Sequence, residues 1–329
     1  MKAAVIINGE KGRRMAVQSV TQPKPGADEV LIQVKASALN RADIFRIQGT
    51  YPFPGSSREG QLEIVGGEAA GEVLEVGENV ACFVKGDRVM GMCNGGYAEF
   101  VTIHQHLALP IPENLSWEEA ATIPVSYMTE HNALITMGRL RSGESVLING
   151  ASSGVGVAAV QIAKVWGAKP VIGLAGSPEK LSSLTALGLD CGINYRIENF
   201  KDRVLEITNG KGVDLIIDHV GASHLMDNLK CMAIKGRLVS VGRLGGEVGE
   251  LNMDLMAMKR LELIGVTFRT RTFAERVEVA RLMKEDLLPF LAGGQLRPVV
   301  DRIFSLDQAV EAHQYMITNT QFGKIVLRP

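Results

Sequence analysis

The stretch Leu147–Gly156 reads LINGASSGVG and runs straight into VAAVQIAKVWGAK. A short apolar run, a turn of small residues and an apolar-periodic helix is the arrangement that seats a pyrophosphate on the N–H groups of a helix N-terminus. The G-x-G-x-x-G spacing is incomplete. In the register ending at Gly156, Ala151 and Ser153 stand at the first two glycine positions. They add only a methyl and a hydroxymethyl, a serine hydroxyl can donate to phosphate, and Gly150, Gly154 and Gly156 keep the turn small. Ala151, Ser152, Ser153, Gly154, Val155 and Gly156 are therefore read as a dinucleotide cradle. A tight turn without ligand is the plainer alternative.

The type of dinucleotide is written at the end of the next apolar run. An acidic residue about 20 positions further on selects an unphosphorylated ribose by accepting from its 2′-hydroxyl. Here the segment is VIGLAGSPEK, which places Ala175, Gly176 and Ser177 at the strand end without a carboxylate. Lys180 follows within a helical turn, and NYR brings Tyr195 and Arg196 to the end of the following strand. Small residues leave room for a 2′-phosphate, hydroxyls donate to it and a lysine supplies charge. The reading is NADPH. Glu179 is a mild contrary signal, although a helical side chain there can point away, and Lys180 on a solvated helix face is the bland alternative.

The elements that must hold these residues follow from the pattern around them. SVLING, KPVIGLAG, CGINY, GVDLIIDHV, GRLVSVG and LELIGVTF are near-continuous apolar runs, as strands buried on both faces should be. Helical stretches separate them, which predicts a doubly wound parallel sheet of about six strands, a Rossmann arrangement. Before it, KAAVII, VLIQVKASAL, GEVLEVG, GDRVMGM and YAEFVTI alternate with turn residues and read as a mainly antiparallel β domain. A long helix near Phe273–Leu291, LRPVVDRIFSL, DQAVEAHQYMIT and GKIVLRP resume that style. The division expected is therefore residues 1–124 for the β domain, 125–270 for the dinucleotide domain and 271–329 for a return to the first, with a ligand cleft between the domains.

Composition narrows the classes. The 329 residues are 46% hydrophobic and 22% charged with a formal net charge of −1, which argues against a nucleic-acid or membrane surface. The opening MKAAVIINGEKGRR lacks a secretory apolar segment, so the expected compartment is cytoplasmic. Cys82, Cys93, Cys191 and Cys231 show no C-x-x-C spacing and are expected to be small buried residues. His104-x-His106 would share one strand face, without an acidic or Cys partner nearby.

Taken together, GGEAAGEV (66–73), KGDRVM (85–90), GGYAEFV (95–101), GASSGVG (150–156) and GKIVL (323–327) resemble, in order, the medium-chain dehydrogenase/reductase superfamily. Within it, ALNRADIFRIQGTYPFP (38–54), DRIF (301–304) and EAHQYM (311–316) are similar to the zinc-free NADPH:quinone oxidoreductases. The resemblance spans essentially the whole chain. It implies a GroES-like β domain split around the Rossmann domain, and a homodimer or tetramer whose sheets join along the strand at 261–268. An apolar edge strand is itself an association hazard. Where the zinc enzymes carry their three metal ligands, this chain has Asn40, Gly67 and Val125, and a catalytic zinc needs three protein ligands.

Without a metal, the acceptor must take a hydride readily by itself, as quinones and α,β-unsaturated carbonyls do. The resemblance implies that Asn40 and Tyr51 meet the substrate and that Phe45 stands where relatives often have a tyrosine. Thr129 would meet the nicotinamide carboxamide. Gly242, Arg243 and Phe268 would border the cofactor, and Lys324 would close over its phosphates or lie on the surface. The expected activity is reduction of a quinone by NADPH. A reductase of alkenals or enones at the C=C bond is the alternative, and a non-enzymatic binding or structural role the third.

Overall fold

The alternating runs of the first third of the chain form two sheets, and the central apolar runs form a third, in a computed structural model that describes residues 1–9, 12–50 and 62–329. Strands β1 (Lys2–Gly9), β2 (Gly12–Ser19) and β3 (Glu29–Ala38) lead to helix α1 (Arg41–Ile47). Then come β4 (Glu63–Ile64), β5 (Glu68–Val76), β6 (Arg88–Met92), β7 (Phe100–His104) and β8 (Ala108–Pro110), followed by α2 (Trp117–Ala121) and α3 (Ile123–His131). The alternating part is β9 (Val146–Asn149), α4 (Gly154–Val165), β10 (Val171–Ala175), α5 (Pro178–Thr185), β11 (Cys191–Asn194), α6 (Phe200–Ile207), β12 (Val213–Asp218), α7 (Ala222–Cys231), β13 (Met232–Ser240), α8 (Met253–Lys259) and β14 (Glu262–Gly265). It ends in α9 (Phe273–Ala292), β15 (Val300–Ser305), α10 (Ala309–Ile317) and β16 (Lys324–Arg328).

Two compact units result. The first joins Met1–Met128, Phe268–Gly294 and Pro298–Pro329; the second joins Thr129–Thr267 and Gln295–Arg297. In the second, six strands pair in parallel in the order β11-β10-β9-β12-β13-β14. Its centre is the fully buried set Leu147, Ile172, Ile193, Ile216 and Leu229, each worth about 1.5–3 kcal/mol when removed from water. The order turns outward on either side of β9, so the turn after β9 lies at the switch point where α/β sheets bind ligands.

The first unit holds a small sheet, β2-β1-β4, and a mainly antiparallel one in which β3 pairs with β5, β7 and β16. The last strand belongs here because Val326 and Leu327 pair with Ala38 and Ser37, and because Ile325 and Leu327 share a core with Ala4, Leu39 and Tyr97. The two ends of the chain are thus needed to close one core.

Three sequence expectations need correction. The run at 261–268 is strand only over Glu262–Gly265: Val266 still donates to Ser240 O, then the backbone closes a turn at Phe268–Arg271. Cys93 and Cys231 are buried, but Cys191 is half-buried and Cys82 is exposed in the loop between β5 and β6, where no core is within reach. His104 ends β7, so His106 falls in the next turn and donates its backbone N–H to His104 Nδ1 at 3.2 Å instead of sharing a strand face. Among the described residues no helix is long and apolar enough to cross a membrane.

One buried base gives the first unit a pH dependence. His313 on α10 packs edge-on to Tyr97 with ring centroids 5.7 Å apart, and burial lowers its pKa from 6.5 to about 4. The unfolded chain therefore takes up this proton first as pH falls, and stability is lost from pH 6.5 downward until the folded value is passed. From pH 7 to pH 5 this group should remove about 2 kcal/mol. Denaturant titrations at the two pH values should show His313→Leu losing less than the parent by that amount; equal losses would exclude His313 as the cause.

Candidate functional site

The turn between β9 and α4 shows how Ala and Ser stand in for glycines. The left-handed residue is Gly150, with φ +69°, one position ahead of the register read from sequence. Ala151 is buried and donates its N–H to Leu174 O at 3.0 Å, so it needs no special backbone. Ser153 caps α4 as its Oγ accepts from Gly156 N at 3.1 Å, which leaves the hydroxyl proton able to donate outward. Gly156 is obligatory: a Cβ there would lie 2.3 Å from Gly150 O and 2.6 Å from Ala151 O. The helix N-terminus is thereby pressed against its own turn, with the first N–H groups of α4 at the carboxyl end of the sheet.

Beneath this turn lies a buried polar cluster that the sequence reading did not single out. Asp218 Oδ1 accepts from Asn149 Nδ2 at 3.1 Å, from Val220 N at 2.9 Å and from Gly221 N at 3.1 Å, fixing the chain after β12. His219 places Nδ1 2.7 Å from Asn149 O and Nε2 2.9 Å from the fully buried Glu130 Oε1. Burial alone would lower the His219 pKa, but Glu130, Asn149 O and Asp218 more than offset it and raise it. The imidazole thus ties the last residue before the turn to the residue after Thr129. The polar pair D-H inside the apolar run LIIDHV was the available signal.

At the neighbouring strand ends, Gly176, Tyr195 and Arg196 come together. A Cβ on Gly176 would stand 3.0 Å from both Tyr195 Oη and Arg196 Nε. Ser177 caps α5, accepting from Lys180 N at 3.4 Å. Glu179 is exposed, and hydrogen bonding by its own backbone N–H and by the Ser177 side chain lowers its pKa. The corner therefore offers a lysine, an arginine and a phenol beside one carboxylate. After β13, Gly242 donates to Asp218 O at 3.0 Å, and Arg243 joins Asp218, Ser240 and Ile264 around a cavity of about 230 Å³. Thr129 is half-buried on α3, and Phe268 is half-buried with the Arg271 guanidinium 5.6 Å from its ring centroid.

In the first unit, Asn40 stands at the N-cap of α1. Its Nδ2 donates to Glu68 Oε1 at 2.8 Å, and its Oδ1 accepts from Lys324 Nζ at 2.7 Å. Lys324 Nζ is also 2.8 Å from Glu68 Oε1, and Glu68 Oε2 accepts from Val125 N at 2.7 Å. Lys324 is thus neither a phosphate cap nor a surface residue: it is 7% exposed and its ammonium is engaged by Glu68 and Asn40. Burial pushes the Glu68 carboxyl up, with Lys324 as the main opposing influence. Asp43 lies beside this group, accepting from Tyr97 Oη at 2.7 Å and from Asn40 N at 2.9 Å. Tyr51 lies outside the described residues. A charged residue heading each of two small or apolar strands, GGEAAGEV and GKIVL, was the sequence signal for the pair.

The positions of the zinc-branch ligands hold Asn40, Gly67 and Val125, and Glu68 beside them is bonded to an ammonium. Such a set does not fit a catalytic zinc, which takes Cys, His or carboxylate ligands. Among the described residues no three His, Cys, Asp or Glu side chains converge on a metal site.

This is the architecture of a two-domain nicotinamide-type oxidoreductase, and comparison with known proteins agrees. The alcohol dehydrogenase GroES-like domain matches residues 26–113, and the zinc-binding dehydrogenase domain matches residues 154–285. The quinone oxidoreductase of Rattus norvegicus is 34% identical over 313 residues, covering 94% of this chain and 91% of the relative. The solved quinone oxidoreductase of Escherichia coli, complexed with NADPH, aligns with a TM-score of 0.87 at 28% identity over 100% of this chain and 99% of the other. A solved NAD-dependent alcohol dehydrogenase aligns with a TM-score of 0.85 at 31% identity over 100% of both chains. The chain belongs to the medium-chain dehydrogenase/reductase superfamily, among its quinone oxidoreductases.

The turn geometry makes a direct prediction. Gly156→Ala forces backbone to move and should cost about 1–3 kcal/mol of stability or more, an overpacking penalty. Ser153→Ala removes only the cap and should cost about 1 kcal/mol. Denaturation of both variants checks the order; Gly156→Ala as stable as the parent would show that the turn relaxes freely.

Proposed function

We propose that the protein reduces quinones with NADPH and uses no metal. One observation carries the reading: a dinucleotide turn closed by Gly156 is combined with ligand positions that hold Asn40, Gly67 and Val125 in place of metal-binding side chains. The similarity to quinone oxidoreductases supports the acceptor class. Without a Lewis acid, a hydride must go to an acceptor that delocalises the resulting charge, which a quinone does over a conjugated ring.

Bound NADPH supplies the hydride, and a quinone that takes it up with one proton becomes the hydroquinone. The chain's own residues bind and orient. The N–H groups at the start of α4 and the Ser152 and Ser153 hydroxyls receive the pyrophosphate. Lys180, Tyr195 and Arg196 receive the 2′-phosphate. His219 and Asp218 fix the turn from below, while Thr129, Gly242, Arg243 and Phe268 line the nicotinamide half. Asn40 donates to the quinone oxygen that gains charge.

NADH is the second reading of the cofactor, favoured by the Glu179 carboxylate at Ser177 and by the NAD-dependent structural neighbour. Reduction of alkenals is the second reading of the acceptor. Both are separated by following cofactor absorbance after chelation, with 1,4-benzoquinone, 9,10-phenanthrenequinone and a 2-alkenal as acceptors and NADH as control donor. Fast quinone turnover with NADPH that survives chelation is expected; preference for the alkenal or for NADH would replace the corresponding half of the reading. Lys180→Ala and Arg196→Ala should each weaken NADPH binding by about 1–3 kcal/mol, the value of a charged hydrogen bond, and leave NADH nearly unchanged. Equal losses for both cofactors would remove the residue concerned from the 2′-phosphate corner.

A further inference from the structure

We infer that Glu68 and Lys324 are positioning residues that fix and polarise the Asn40 amide, so that a buried ion pair stands where zinc enzymes of this fold hold their metal. The inference rests on the quinone reading for the role of Asn40, but its geometry is independent of it. An asparagine amide is nearly symmetric in shape, and a half-turn exchanges oxygen for NH₂. Here Lys324 Nζ faces Oδ1 at 2.7 Å, and Glu68 Oε1 faces Nδ2 at 2.8 Å. A flipped amide would set NH₂ against an ammonium and oxygen against a carboxylate. The ion pair therefore selects one orientation.

The same contacts leave the second amide hydrogen only weakly engaged, by a long bond to Ala38 O. Nδ2 carries two; one goes to Glu68, and the other has only Ala38 O at 3.4 Å, beyond the usual length of such bonds. An ammonium on the amide oxygen draws electron density from the nitrogen and strengthens that remaining donor. The pair is rigid. Val125 N holds the second Glu68 oxygen at 2.7 Å, Lys324 N donates to Val299 O at 3.0 Å, and both side chains are almost fully removed from water. Stability alone gives little reason for this arrangement, because a buried ion pair can be exchanged for apolar residues without loss. The Asn40 side chain meets the pair with both its oxygen and its nitrogen.

A double-mutant cycle tests the claim. Asn40→Ala should lower quinone kcat about 100-fold, as loss of an oxyanion donor does. Lys324→Gln should lower it about tenfold with unchanged NADPH affinity, yet less than about twofold when Asn40 is already alanine, because residues acting through one group are not additive. Should Lys324→Gln fail to fold, Glu68→Gln/Lys324→Gln removes both charges together and should show the same dependence on Asn40. Equal losses with and without Asn40, or a change in stability with kcat unmoved, would overturn the inference. If the parent protein does not turn over quinones, the quinone reading falls alone, and the Asn40 side-chain amide decides the rest. In protein carrying ¹⁵N-asparagine, the hydrogen donated to Glu68 should be slow to exchange and lose that protection in Lys324→Gln; unchanged protection would reject positioning by the pair.

Discussion

The structure of the second unit depends on one close approach: the α-carbon of Gly156 against the carbonyl oxygens of Gly150 and Ala151, with room for no side-chain atom. Because α4 starts there, its free N–H groups sit at the carboxyl edge of β9, where the strand order reverses. Everything packed below serves that approach. Asp218 holds the neighbouring chain by three hydrogen bonds, and His219 links Asn149 to Glu130. These groups are buried, so their hydrogen bonds are strong and their misplacement costly. A turn that presents main-chain groups has few side chains to adjust, and its accuracy comes from the polar layer underneath.

This explains what the amino-acid sequence made legible. Strands β9, β10 and β12 were readable as apolar runs because they are buried almost throughout, whereas the edge strand β14 is apolar but largely exposed, and the split β unit was readable because its closing strand carries the same pattern as its opening ones. The turn was readable by type, with Ala151 at a glycine position because the left-handed conformation falls on Gly150 beside it. Strand β14 is shorter than its apolar run because pairing stops where a turn begins, and side-chain hydropathy does not register a backbone turn.

Local pattern fails most plainly for charges that meet across the chain. Lys324 and Glu68 are 256 residues apart and each looks like a solvated residue at a strand start. Only the β16–β3–β5 neighbourhood brings them to 2.8 Å, and only then is Lys324 seen to belong with Asn40 instead of a phosphate. In the second unit, Tyr195 and Arg196, which follow β11, come up to Gly176 after β10, a meeting that the sequence order alone does not show.

A metal and a buried ion pair solve related electrostatic problems differently. A zinc ion carries its own charge to the oxygen it binds, whereas an ammonium already paired with a carboxylate is close to neutral at a distance. What the pair keeps is direction: the positive end lies on the Asn40 oxygen and the negative end on its nitrogen. Such a device does little for an isolated alkoxide, whose full charge needs a nearby cation. It is sufficient for an acceptor that spreads its new charge over a conjugated system, where one oriented, strengthened donor at the oxygen is the remaining requirement. On the proposed reading, Asn40, Gly67 and Val125 at the metal-ligand positions match the chemistry to the acceptor: the less charge is localised, the less of it the protein must meet.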